Sequence, residues 1–91
     1  MKKSVRLFLS GNFHPMFFGP YLKDEATKLN VRGFARALED KRIEVFIEGD
    51  AKAVDEMIPR CKTGPYNTQI KNVEMREERF QDFKEFKILT I

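Results

Sequence analysis

Val5-Arg6-Leu7-Phe8-Leu9-Ser10-Gly11-Asn12-Phe13-His14-Pro15-Met16-Phe17-Phe18-Gly19 is the stretch whose reading decides the fold. Its first part alternates. Val5, Leu7 and Leu9 point one way and Arg6, Phe8 and Ser10 the other, so Lys2 to Ser10 reads as a half-buried strand. From Phe18 the period changes: Phe18, Tyr21, Leu22, Ala26 and Leu29 share one helical face, and Lys23, Asp24, Thr27 and Lys28 share the other. Gly11 to Gly19 is then a loop feeding a helix that starts near Phe18. Pro20 is expected in the first turn, where its missing N–H is not needed, and Asn30 suits the left-handed residue that ends a helix. A loop that feeds a helix N-terminus aims free N–H groups and the helix dipole at one spot, which makes it a natural anion site. The plainer alternative is a connection whose aromatics are tucked into the core.

Downstream, Val31 to Leu38 and Ile43 to Glu48 read as two strands joined by a turn at Glu39-Asp40-Lys41-Arg42. Ile43, Val45 and Ile47 face inward, and Glu44, Phe46 and Glu48 outward. Asp50 caps a second helix, in which Val54, Met57, Ile58 and Cys61 form the buried stripe. Pro59 is expected to kink or end that helix. Gln69 to Glu77 is a fourth strand with Val73 and Met75 on one face. Ile70 is out of phase with them, which predicts a bulge or a late start. Phe83 to Ile91 returns from a turn near Gln81-Asp82 as a last strand or strand end. The order predicts an α+β, ferredoxin-like βαββαβ sandwich: an antiparallel sheet, two helices on one face, and an extra C-terminal strand. Its core is expected to bury Phe18, Leu22, Leu29, Val45, Val54 and Ile58.

The 91 residues are read as one domain over residues 1–91. Hydrophobic residues at 42% against 34% charged describe a folded globular chain and exclude a disordered one. The formal net charge of +3 permits contact with nucleic acid but does not demand it. With one Cys there is no intrachain disulfide, and with one His besides there is no usual zinc site, so no metal is expected. No apolar run is long enough for a membrane span and no signal-peptide core is present, so a cytoplasmic protein without a membrane partner is expected.

Taken together these stretches resemble the acylphosphatases, from Val5 to Ile88. Gly11 to Phe18 resembles the family's G-R-V-Q-G-V-x-F-R loop. Ala26-x-x-Leu29, Gly33-Phe34-Ala35-Arg36, Ile43-Glu44-Val45 with Glu48-Gly49-Asp50, Gly64-Pro65 and Phe86-Lys87-Ile88 follow at matching spacing. The resemblance implies a small ferredoxin-like enzyme that hydrolyses carboxyl-phosphate anhydrides without a metal or other cofactor. In the family the loop's N–H groups and its terminal Arg hold the phosphoryl group, and an Asn at the end of the second strand orients water. Here Gly19 stands at the Arg position, Ala37 at the Asn position, and Pro15, with no N–H, at the loop's second Gly. The bidentate guanidinium grip and the water-orienting amide are both missing from the pattern. Losing one oxyanion donor alone lowers a rate by about 10²–10³.

Neither neighbour is an obvious substitute. Arg36 is sent by alternation to the opposite sheet face from Ala37, and a lone loop His14 is ordinarily solvated, although it could contact an anion or move a proton. No catalytic residue is therefore assigned. The first functional expectation is a non-catalytic module that binds a phosphate-like anion through the backbone of Asn12, Phe13, His14, Met16, Phe17 and Phe18, or else an unknown protein partner. The second is an active acylphosphatase with a rearranged site. The third is nucleic-acid binding through an open sheet face carrying Phe8 and Phe46 with Arg6, Arg32, Phe34 and Arg36. Glu44 and Glu48 would repel phosphates there, and Arg42 to Glu48 lacks the RNP1 pattern, so nucleic acid ranks last. The alternative for those aromatics is that they pack on one another or under the C-terminal segment.

Overall fold

The alternation of the first strand (β1, Lys2–Asn12) buries Val5, Leu7 and Leu9 against two helices. A computed structural model describes residues 1–65 and 68–89, and of Pro15 the backbone alone. After β1 come α1 (Pro15–Leu29), β2 (Arg32–Ala37), β3 (Ile43–Asp50), α2 (Ala51–Thr63), β4 (Gln69–Glu77) and β5 (Phe86–Leu89). The sheet runs β4-β1-β3-β2-β5, with β3 central. β1 is antiparallel to β3 and β4, β2 is antiparallel to β3, and β5 is parallel to β2. Phe18, Leu22 and Ala26 of α1 and Val54, Met57 and Cys61 of α2 join Val5, Leu7, Leu9, Val45 and Ile47 in one core, so both helices lie on one face. This is the expected ferredoxin-like sandwich with an added fifth strand, whose direction makes the sheet mixed. Leu29 and Ile58 are half-buried at the margin of the core. Burial pushes the Cys61 thiol up to about 12, which leaves it protonated and unreactive at neutral pH. Among the described residues no helix is long and apolar enough to cross a membrane.

Two prolines behave differently from the expectation. α1 begins at Pro15, not near Phe18, because Pro15 takes the first helical position. Pro20 therefore lies inside the helix. The carbonyl that lacks its N–H belongs to exposed Met16, within reach of water. α2 likewise continues through Pro59 to Thr63. Pro59 and Asp55, whose carbonyl loses its partner, are both exposed. The Thr63 hydroxyl donates to the Pro59 carbonyl at 2.9 Å. A proline on the solvent side of a helix well packed on its other face is tolerated.

The caps and the bulge follow the sequence. Asn30 closes α1 at φ 57°. The Asp50 carboxylate accepts from the Lys52 N–H at 3.2 Å at the start of α2. Asp50→Ala is expected to lower stability by about 1 kcal/mol, read as a shift in urea midpoint; an unchanged midpoint would show that the bond contributes nothing. Ser10 pairs with Asn72 and Gly11 with Ile70, so Lys71 is the extra residue of a bulge. The bulge brings Ile70 into phase with Val73, and both pack on the core. Gly11 sits at φ 154°, where a Cβ would collide with the Gln69 carbonyl oxygen, so only glycine fits. The last strand is shorter than expected at its start, Phe86 instead of Phe83, and its expected end at Thr90 and Ile91 lies outside the described residues.

The face away from the helices is not open. Phe46 points there, yet it is fully buried, as is Glu48, and Glu44 is nearly so. Phe34 stacks on Phe46 at 5.9 Å, and Phe83 leans on both rings at 5.7 and 5.5 Å. The segment over residues 78–85, which carries Phe83, crosses this face as a strap. Glu48 fastens it, accepting from the Gln81 N–H at 2.7 Å and the Phe83 N–H at 2.6 Å, with the Ser4 hydroxyl donating at 3.1 Å.

Candidate functional site

Because α1 starts at Pro15, the connection from β1 shrinks to Phe13 and His14. His14 is the N-cap, with φ −105° and ψ 110°, and its side chain makes no capping bond. Its carbonyl accepts from the N–H groups of Phe17 at 2.9 Å and Phe18 at 3.0 Å, which closes the first turn. Among the described residues the N–H groups of His14 and Met16 have no protein acceptor. With the Phe13 N–H, which also has no acceptor among the described residues, they are the donors that an incoming anion would find unoccupied. Asn12 ends β1 and is exposed. Phe18 is fully buried and meets Phe13 edge-on at 5.2 Å, so these two rings hold the connection in place. Met16 and Phe17 are 70% and 63% exposed, which excludes them from the core. The His14 and Phe17 rings lie 5.1 Å apart on the outside.

The two positions that the sequence pattern marks as substituted lie in different surroundings. Gly19 is buried in α1, and a Cβ added to it would meet the Ile88 side chain at 3.3 Å. Its backbone has no left-handed torsion, so it is not there for conformational freedom. Ala37 ends β2 and lines a pocket of about 320 Å³ together with Gly11, Phe13, Leu38 and Lys41. The fold thus brings Ala37 to the strand-to-helix connection, as the pattern requires, whereas His14, Met16 and Phe17 are not among the lining residues. Arg36 is on the opposite face, ion-paired with Glu44, and takes no part.

Lys41 is the group that the sequence reading did not single out. The turn between β2 and β3 is closed by the Leu38 N–H donating to the Arg42 carbonyl at 2.8 Å and the Lys41 N–H to the Leu38 carbonyl at 3.1 Å. Lys41 itself adopts φ 72°. The available signal was that Glu39-Asp40-Lys41-Arg42 contains no glycine, so an L-residue must supply any left-handed torsion the turn needs. The Arg42 backbone N–H and guanidinium bind Asp40, and hold its carboxyl below the usual carboxylate range.

The second candidate surface, on the strap side, is charged and paired within itself except at Arg32, whose Nε is buried with no hydrogen-bond partner among the described residues. Arg6 is shared between Glu44 and Glu78, Arg36 also binds Glu44, and Arg76 binds Glu78 at 3.0 Å. The bond with Glu78 is the largest influence strengthening Arg6's hold on its proton, and the same bond holds the Glu78 carboxyl below its usual range. Phe8 lies under two cations, Arg42 at 5.0 Å and Arg76 at 5.7 Å. With the Phe34 and Phe46 rings covered by Phe83, the surface offers no continuous stacking platform. Among the described residues no cluster of three or more His, Cys, Asp or Glu could hold a metal.

The chain matches the acylphosphatase family model over residues 5–88. It is 40% identical over 76 residues to an acylphosphatase of Rubrobacter xylanophilus, covering 84% of this chain and 69% of that one. It is 35% identical over 88 residues to an acylphosphatase of Syntrophobacter fumaroxidans, covering 96% and 91%. Its fold is similar to the crystal structure of acylphosphatase from Bacillus subtilis, with a TM-score of 0.89 at 22% identity over 98% and 99% of the two chains.

Proposed function

Since this chain belongs to the acylphosphatase family, we propose that it is a member which keeps the fold and an anion site while hydrolysing acyl phosphates no faster than buffer, or only marginally faster. The observation that carries this reading is Gly19. It supplies no cation to balance the charge of a phosphoryl group, and the Ile88 side chain lies in tight contact, 3.3 Å, with where its Cβ would sit. Ala37 adds a methyl to the pocket where the family pattern calls for an amide that orients water. What remains is the backbone from Asn12 to Phe18, with the Phe13, His14 and Met16 N–H groups as donors that have no acceptor among the described residues. Such a site binds without turning over, in the service of a small anion or a protein partner.

The family match favours a second reading, an active acylphosphatase with a rearranged site. A direct assay separates the two. With an acyl phosphate and no added metal, release of phosphate is expected within about twofold of the buffer rate, set against the 10⁶-fold or greater accelerations typical of enzymes. Robust turnover would establish the second reading. A parallel titration with inorganic phosphate is expected to shift the His14 and Met16 amide resonances.

A further inference from the structure

We infer that the pocket between β1 and the β2–β3 turn takes a small monoanion with an apolar body, an aryl or alkyl carboxylate being the simplest, with Lys41 as its charge partner. This deepens the anion-binding reading and rests on it. The lining is Gly11, Phe13, Ala37, Leu38 and Lys41: one cation, one phenyl ring, two aliphatic side chains and a glycine. No acceptor side chain and no second cation belong to it. A multiply charged phosphate placed between these walls would lose water against apolar groups and regain one ammonium contact. A carboxylate presents a single charge and can lay its hydrocarbon on Phe13 and Leu38, so the apolar lining becomes an advantage.

Lys41 is also placed at a disadvantage to the fold. Its φ of 72° lies in the left-handed region, which glycine occupies with less strain than a residue carrying a Cβ. Asp40 and Arg42 on either side bind each other at 2.8 Å. Among the described residues Lys41 has no ion pair at all. A left-handed residue that carries an exposed, unpaired cation beside an apolar pocket points to a ligand whose charge it would meet.

The test titrates benzoate and inorganic phosphate separately into the isotope-labelled protein and follows amide shifts in the unmodified chain, Lys41→Gly and Lys41→Met. Benzoate is expected to move the Gly11, Phe13, Ala37 and Leu38 resonances. Both variants are expected to bind it about tenfold or more weakly, since a charge-assisted contact is gone. Lys41→Gly is also expected to melt a few degrees higher, while Lys41→Met keeps the strained torsion and does not gain. Equal benzoate affinity in all three proteins would overturn the inference. So would phosphate moving the His14 and Met16 amides in every variant while benzoate moves nothing, an outcome that leaves the anion reading standing. If neither anion moves any amide, both readings fall.

Discussion

Gly19→Arg together with Ala37→Asn will raise acyl phosphate hydrolysis by at least about 10²-fold over the unmodified chain, the scale of a restored oxyanion contact. The pair returns a guanidinium that can grip two phosphoryl oxygens and an amide that can hold water, two functions that act in one transition state. Neither change alone should match the pair, because each leaves the other half of the site empty. The backbone at Gly19 is ordinary helix, so the substitution does not meet a torsional barrier. It does meet Ile88, whose Cγ2 and Cδ1 would lie 3.3 and 3.4 Å from the new Cβ. Adding Ile88→Ala, at a position 42% exposed, should therefore raise the rate further by letting the arginine stem settle. Steady-state kinetics on all five proteins (the unmodified chain, both single variants, the pair and the triple), with melting curves beside them, decide the matter. A folded triple mutant that stays inert would assign the decisive loss to Pro15 and the shape of the connection.

Glu48→Ala will destabilise the protein by about 3–5 kcal/mol, the effect of breaking a buried, charge-assisted network by removing one partner. The Gln81 and Phe83 N–H groups both end on this fully buried carboxylate, as does the Ser4 hydroxyl. Without it the strap has no polar anchor, and Phe83 is free to lift from Phe34 and Phe46. Glu48→Gln keeps one acceptor oxygen and should fall between the two. The urea midpoint gives the size of the loss, and hydrogen exchange at Gln81 and Phe83 locates it. A loss under 1 kcal/mol with both amides still protected would show that aromatic packing alone holds the strap.

The order of elements and the face of each strand were legible because they rest on long alternating runs such as Val5 to Leu9 and Ile43 to Ile47, where one error of phase would invert the whole pattern. The bulge was legible from a single residue, Ile70, that fell out of step. Pro20 was misread because α1 starts earlier than the period suggested, at Pro15, and the end expected at Pro59 does not come because α2 is held by the stripe it buries, which the local sequence does not contain. Phe46 and Glu48 were read as outward, correctly in direction, but a segment some 35 residues away covers them. Spacing singled out the connection and Ala37, and the fold sets Phe13 and Ala37 along one pocket. Lys41 was not singled out, because its relevance comes from a backbone torsion and from a pocket that forms only once β1 and the β2–β3 turn meet.

The bulge at Lys71 has a bearing on how the protein behaves when crowded by its own copies. β4 is a nine-residue strand at the margin of the sheet, long enough to template pairing with another chain. Its pairing with β1 loses register at that extra residue, which interrupts the regular row of unpaired groups that a recruited strand would need. Lys71, Glu74, Arg76 and Glu77 place both signs of charge along it, so an in-register copy would set like against like. The opposite margin, β5, is apolar at Ile88 and Leu89 over the four residues described. On the β4 side, length without regularity and with mixed charge keeps the margin from templating a fibre.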